Sequence, residues 1–238
     1  MTITAKNCRE VKFSNGGHMF AAAHGSSYVY IYNFYTGENP TNLQCKGHQQ
    51  KVRGIDWFED DMGFTSTALD GFVFFYDLQA WKETTQRNSD KDPTFKRPNN
   101  QTFTGFTDIV NIPGSNYDAL VVGGSQMIYR TSEASNPVNA GSNISQVKIL
   151  ASTKAFFAGK GDENRPGAIQ IWKFPMERLN EVQAHGPGGV ERMRISYDNN
   201  FLFTAGKDGS MMVFDIKDKD PRGGLVRQRE HGSMIPFS

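Results

Sequence analysis

The chain has 238 residues, with 26 Lys and Arg against 25 Asp and Glu, and a formal charge of +1, so no global field draws it onto nucleic acid or an anionic membrane. Two cysteines, Cys8 and Cys45, are too few for a disulfide scaffold or a zinc site and read as reduced intracellular thiols. No apolar run approaches the roughly 18 residues of a membrane span and the start lacks a signal-peptide core, which sets cytoplasm, or a structure built into it, as the expected location.

The 18 Phe and 8 Tyr supply more aromatic area than a disordered chain carries, and the 24 Gly and 10 Pro punctuate many short strands. In chain order, Thr2–Ala5 reads as an outer strand of whatever unit precedes it. Val11–Phe13, Met19–Ala23 and Tyr28–Tyr32 follow as three strands, with Leu43–Cys45 as an exposed outer strand. After the dipeptide Gly47-His48, Val52, Ile55 and Trp57 give the mostly period-2 pattern of a half-buried inner strand. A polar break at Glu59-Asp60-Asp61 leads to Phe64–Ala68. Asp70-Gly71 then makes a hairpin turn of the kind that residues tolerant of positive φ accept. Phe72–Leu78 returns apolar on both faces, as a strand sandwiched between two neighbouring sheets would be. Trp81–Thr84 is the expected outer strand.

From Gln86 to Gln101 the chain is Lys, Arg, Asp, Asn and Pro with little that is apolar but Phe95, and it reads as a surface loop. Insertions of this kind are where a repeat scaffold places partner contacts, so Lys96 and Arg97 are candidates; a tether without a partner explains the stretch as well. Two weaker units follow. The first is Asp108–Val110, Leu120–Gly123 and Met127–Tyr129. The second is Val147–Ile149, Phe156–Ala158 and Ile169–Trp172, with a long hairpin, Gly159–Gly167, that carries Arg165. The last unit is strong again: Ala184-His185, Val190–Ile195, Phe201–Ala205, the turn Asp208-Gly209, and Ser210–Ile216. Leu225–Arg229 is its expected outer strand, and Arg222, Arg227 and Arg229 form the best local basic patch.

The spacing of the strong units sets the architecture. His48 to Asp70 is 22 residues, His185 to Asp208 is 23, and the 137 residues from His48 to His185 divide into three units of about 46. Four-strand repeats of this length make β-propellers. The prediction is an all-β WD-repeat β-propeller in a single domain over 1–238. About five blades are visible, at 9–46, 47–86, 102–138, 143–183 and 184–230. Because about seven such units would need roughly 320 residues, this is a partial or unusually small propeller.

His48 with Ser66, Asp70 and Tyr76, and His185 with Thr204, Asp208 and Phe214, occupy matching offsets in the two strong units. A histidine, an acid and a hydroxyl suggest a catalytic triad, but a triad occurs once and needs an oxyanion site, whereas this set occurs twice in series. The structural reading assigns these residues to a buried polar tie: the turn Asp accepts a hydrogen bond from the His of the inter-blade loop. Gly186-Pro187-Gly188-Gly189 is followed by a strand and lacks a Gly-Lys-Ser/Thr ending, so it makes no phosphate cradle. No catalytic residue, cofactor or metal is expected, and the protein reads as a non-enzyme.

Three stretches carry a resemblance to a known family: Val11–Ala22, Lys46–Trp57 and, most specifically, Val182 to Gly223. In the last, Gln183-Ala184-His185, Tyr197–Leu202 and Asp218-Lys219-Asp220-Pro221-Arg222-Gly223 lie in order. They resemble the WD-repeat superfamily and, more particularly, the second propeller of the cilia- and flagella-associated protein 57 family. The resemblance implies a structural, scaffolding propeller of the ciliary axoneme, in cytoplasm and cytoskeleton, associated with doublet microtubules and with docking of inner dynein arms or regulatory complexes. The implied partners are other axonemal proteins: inner dynein arm or dynein regulatory components, tubulin, and a further propeller or coiled-coil chain, with no nucleic acid and no membrane. A WD-repeat adaptor in another cytoplasmic or nuclear complex is the competing expectation, because propellers host many functions.

Overall fold

The computed structural model describes residues 7–25, 27–39, 44–78, 95–96, 105–115, 117–123, 126–133, 135–150 and 155–217. Their strands form five antiparallel sheets in chain order. Sheet one holds β1 (Glu10–Phe13), β2 (Met19–Ala23), β3 (Val29–Asn33) and β4 (Gln44–Cys45). Sheet two holds β5 (Val52–Trp57), β6 (Gly63–Ala68), β7 (Phe72–Asp77) and β8 (Phe95–Lys96). Sheet three has β9 (Phe106–Asn111), β10 (Ala119–Gly123), β11 (Met127–Arg130) and β12 (Val138–Asn139). Sheet four has β13 (Ile144–Leu150), β14 (Ala155–Lys160), β15 (Pro166–Lys173) and β16 (Glu177–Pro187). Sheet five has β17 (Val190–Ile195), β18 (Phe201–Gly206) and β19 (Met211–Asp215).

Each sheet is an up-and-down meander whose first strand packs beside the first strand of the next sheet, so β1, β5, β9, β13 and β17 line a common axis. Four apolar seams sit between successive sheets. Ile31 and Ala23 meet Trp57 and Phe74. Val73 meets Ile109 and Val121. Leu120 and Ile128 meet Val147 and Phe156, and Phe157 and Ile169 meet Met193 and Leu202. Burying a side chain such as Phe64 contributes on the order of 2 kcal/mol. In the middle of the stack both faces of a sheet are covered, so β6 and β10 are buried at every position. Period-2 alternation survives where one face stays open: on β5 Val52, Ile55 and Trp57 are buried and Arg53 and Asp56 are not, and on β18 exposed Phe201 and Phe203 alternate with buried Leu202 and Thr204.

Several expectations are corrected. The outer strand of sheet two is Phe95–Lys96, drawn from the polar insertion, and it pairs with Phe72 and Val73; Trp81–Thr84 lie outside the described residues. Cys45, expected on an exposed strand, is fully buried against sheet two, where burial pushes its thiol well above the ordinary value. The Gly159–Gly167 hairpin is shorter than expected, because β14 runs to Lys160 and β15 starts at Pro166. β16 is the longest strand among those described and runs through His185 to Pro187, so His185 is a strand residue paired with Gly167 rather than a loop residue. The proposed outer strands Thr2–Ala5 and Leu225–Arg229 lie outside the described residues.

Candidate interaction surface and the ties that support it

In sheet two the four expected residues come together. His48 Nδ1 lies 3.0 Å from Asp70 Oδ2 and Nε2 lies 2.8 Å from Ser66 Oγ. The ring thus bridges the carboxylate of the turn and the hydroxyl of the middle strand through its two nitrogens. Asp70 also accepts the backbone N–H of Gln49 (2.9 Å) and of Phe72 (3.0 Å), which locks the Asp-Gly turn onto its own strand. Gly71 supplies φ +80 there, where a Cβ would be strained. Burial alone would raise the Asp70 carboxyl, but the hydrogen bond and charge of His48 and the two N–H donors together hold it below the usual carboxylate range. The Tyr76 hydroxyl donates to the Lys46 carbonyl at 3.1 Å, and burial raises its phenol. Both ring and acid are enclosed: the side chains of His48 and Asp70 are 0% and 4% exposed.

Sheet five holds the second set differently. His185 Nε2 lies 2.8 Å from Thr204 Oγ1, as expected, but Nδ1 lies 2.8 Å from Ser210 Oγ and 3.4 Å from Asp208 Oδ1. Ser210 relays the tie, since its hydroxyl donates to Asp208 at 2.7 Å. The Gly186 N–H (2.6 Å), the Ser210 hydroxyl and the Ser210 N–H draw the exposed Asp208 carboxyl well down. Phe214 takes the place of Tyr76 and packs half-buried on the seam with sheet four, without a hydroxyl. Ser66 and Thr204, the hydroxyls of the two sets, are 0% and 1% exposed, so neither can reach a substrate.

The strand registers show what replaces the tie in sheet four. Val147 pairs with Ala158 as Ile55 pairs with Ser66, and Phe156 pairs with Trp172 as Phe64 pairs with Tyr76. Ala158 therefore stands where the hydroxyl would be, and Ala140, at the same offset before the inner strand, stands where the histidine would be. Gln170 fills the gap: it accepts from Trp172 Nε1 at 3.1 Å and donates to the Ala140 carbonyl at 2.8 Å. At the rim of this sheet a recess of about 220 Å³ is lined by Ser142, Lys160, Asp162, Arg165, Pro166, Glu181 and Gln183. Lys160 pairs with Glu181 at 2.7 Å, and the Ser142 hydroxyl is buried without a hydrogen-bond partner. Arg165 is exposed on the hairpin beside it. Lys96 lies in β8, its side chain outside the described residues, as are Arg97, Arg222, Arg227 and Arg229 altogether.

A charged network on the axis was not anticipated. Lys12 pairs with Asp56 at 3.0 Å, Lys148 with Asp108 at 2.5 Å, and Glu10 reaches from β1 to Arg194 (3.3 Å) and Arg192 (3.7 Å) on β17. Asp56 raises the Lys12 ammonium, burial lowers that of Lys148 despite Asp108, and burial, then Asp108, raises the Glu10 carboxyl against the two arginines. The network borders a basin of about 570 Å³ at the end of the axis, beside Phe58, Asn111 and Tyr117. The available signal was a charged residue inside the inner strand of each unit. Asp118 was missed as well. It receives the Thr131 and Ser132 hydroxyls, the Ser132 N–H and Arg130 Nε, fixing the turn after β11.

A family model for the WD domain, G-beta repeat, matches residues 40–77 and 176–215, the two segments that hold the histidine ties. Cilia- and flagella-associated protein 57 A of Tetrahymena thermophila is 35% identical over 256 residues, 92% of this chain and 19% of that protein. Protein 57 C of the same organism is 37% identical over 92% of this chain and 17% of its own length. Cilia- and flagella-associated protein 57 of Mus musculus is 32% identical over 96% and 17%. The chain thus spans less than a fifth of the curated relatives it matches. Among solved structures, the β-propeller domain of Myceliophteria_thermophila Cps50 (Swd1) superposes with a TM-score of 0.73 at 14% identity, covering 95% of this chain and 71% of that one. A chain of the Mitotic Checkpoint Complex superposes with a TM-score of 0.65 at 18% identity, over 89% and 77%. At these identities the structural likeness establishes the fold alone.

Proposed function

We infer the role of this chain from one premise: it is a WD-repeat β-propeller homologous, over most of its length, to cilia- and flagella-associated protein 57. The proposed function is that of a non-catalytic, rigid component of the ciliary axoneme, which works by being bound and turns over no substrate. At the finer level, the chain associates with doublet microtubules and contributes to docking inner dynein arms or regulatory complexes. The observation that carries this reading is the 35–37% identity, extending over 92% of the chain, to proteins whose names place them in cilia and flagella.

The chemistry of the ties supports a scaffold, because each histidine, acid and hydroxyl is occupied in holding its own sheet together. Partner contact is left to groups outside the repeat. Of the basic contacts expected from the sequence, Arg165 on the hairpin of sheet four has its side chain among the described residues, exposed beside the polar recess at Ser142. The polar insertion with Lys96 and Arg97, and the basic edge Arg222, Arg227 and Arg229, are proposed as further contacts. The test is localisation of a tagged copy in a ciliated cell. Retention on axonemes after detergent extraction is the expected result, and a diffuse pool absent from axonemes would assign the chain to another complex.

A further inference from the structure

The exposed apolar side chains sort by place. Outside β1, β16, β18 and β19, the large ones open to solvent among the described residues are Phe34, Tyr35, Met62, Tyr117 and Tyr197, all on turns at the end of the strands away from the histidine ties. The basin of about 570 Å³ opens at the same end. Sheets two and three, neighbours inside the stack, build its outer half: Phe58, Glu59 and Asp60 follow β5, and Ser115 and Tyr117 follow β9. The Tyr117 ring closes edge-on against Phe58 at 4.6 Å and Phe75 at 4.9 Å, on a backbone at φ +60 that a bulky residue adopts only under strain. It is thus fixed at the mouth of the basin with 47% of the residue still exposed.

Once its ion pairs are set aside, the charge of the basin is one-sided. Lys12 is taken by Asp56, Lys148 by Asp108 and Arg194 by Glu10, while Asp118 is taken by Arg130. The cations on the wall are therefore spent. Glu59 and Asp60 are exposed and make no ion pair among the described residues; each accepts a backbone N–H, from Gly114 at 3.2 Å and from Met62 at 2.9 Å. The turns that leave the inner strands add Asp61 and Asp198 and, among the described residues, no lysine or arginine. Two uncompensated carboxylates beside a fixed phenol ring are what an ammonium or guanidinium group needs: the acids attract its charge and the ring its quadrupole.

We propose that the outer half of this basin is a docking site for a basic segment of a partner protein, with a lysine or arginine side chain seated among Glu59, Asp60 and Tyr117. Charge selects the occupant. An acidic segment would meet two carboxylates without counterions, and an apolar one would strip them of water and return nothing. A lysine or arginine satisfies both demands, because its aliphatic stem covers the ring while its head stays with the acids. The site lies between two consecutive sheets of this chain, at the end opposite Arg165, and the inference goes beyond the scaffold reading without resting on a ciliary location.

The test titrates the whole chain, residues 1–238, with a labelled octalysine peptide and, as the opposite probe, octaglutamate, read by fluorescence anisotropy and amide exchange. Octalysine is expected to bind and to protect 58–62 and 112–118, and octaglutamate to leave those segments unprotected. Glu59→Gln with Asp60→Asn is expected to melt like the wild type and weaken octalysine binding by about fivefold or more. Tyr117→Asn, which suits the left-handed backbone, should weaken it by about threefold or more. Asp162→Asn with Glu163→Gln, at the other end of the strands, should change nothing. No octalysine binding, equal losses from the two acidic pairs, protection of 58–62 by octaglutamate, or self-association of the chain through the basin would overturn the proposal. A chain absent from axonemes that still binds octalysine at these turns would leave this inference standing and sink the ciliary role.

Discussion

Sheets two and five carry the same constellation at nearly the same spacing and use it differently. In sheet two, His48 closes directly on an enclosed Asp70. In sheet five, His185 reaches Asp208 mainly through Ser210, and the acid sits at an exposed rim. Two local facts produce the difference. The residue two past the acid is Phe72 in one sheet and Ser210 in the other, and only the latter has a hydroxyl to intercept the ring. Sheet two is also packed on both sides, while sheet five is packed on one. The same residue types therefore differ in what they are worth, because the penalty for an unpaired polar group is set by what excludes water around it.

The largest effect should come from His48→Ala, which strands Asp70 and Ser66 without their partner in an enclosed site. A loss of about 2 to 3 kcal/mol, read by denaturant or thermal unfolding, is expected. Asp70→Ala should follow at about 1 to 2 kcal/mol, since the Gln49 and Phe72 N–H groups and His48 Nδ1 lose an acceptor together. Asp208→Ala should shift the melting temperature by less than half as much as Asp70→Ala, because water replaces the carboxylate at the rim. Equal shifts would show that sequence position, not enclosure, sets the strength of the tie.

The pH profile sharpens the same contrast. The Asp70 carboxyl is held below its unfolded value, so its contribution is fully present above the unfolded pKa of about 3.9 and is lost as pH falls through the lower folded value. The stability gap between the wild-type chain and Asp70→Asn should therefore be constant from about pH 5 to 7 and shrink below about pH 4. A gap that grew on acidification would contradict the assigned direction. The smallest effect is expected for Ser210→Ala, which removes the relay but lets His185 close on Asp208 as His48 closes on Asp70, with a change of about 0.5 kcal/mol or less.

What was legible in the sequence follows from the same physics. Inner strands alternate, the third strand of sheet two is apolar on both faces, and Asp-Gly turns demand a conformation that few residues accept, so sheets two and five could be read from residue types. Outer strands could not. Gln44–Cys45, Phe95–Lys96 and Val138–Asn139 are two residues long, and two residues show no period. β16 begins with exposed Glu177–Asn180, a polar run that reads as loop until its ladder with β15 is seen. In the site, His48, Asp70 and Ser66 were legible because their spacing recurs, whereas Gln170 was not: it satisfies Trp172 from a position where sheet two has an aromatic residue, Phe74. The axial pairs Lys12–Asp56, Lys148–Asp108 and Glu10–Arg194 were hidden because charges in a strand read as solvent-facing until five strands converge.

The central claim is that the repeated His, Asp and hydroxyl sets hold the fold while groups outside the repeat do the binding. Co-sedimentation of purified variants with extracted axonemes, each assayed below its own melting temperature, tests it directly. His48→Ala is predicted to melt earlier and still bind, and Arg165→Glu to melt like the wild type and bind at least several-fold more weakly. The reverse pattern, with Arg165→Glu bound normally and His48→Ala lost from axonemes while still folded, would contradict the account.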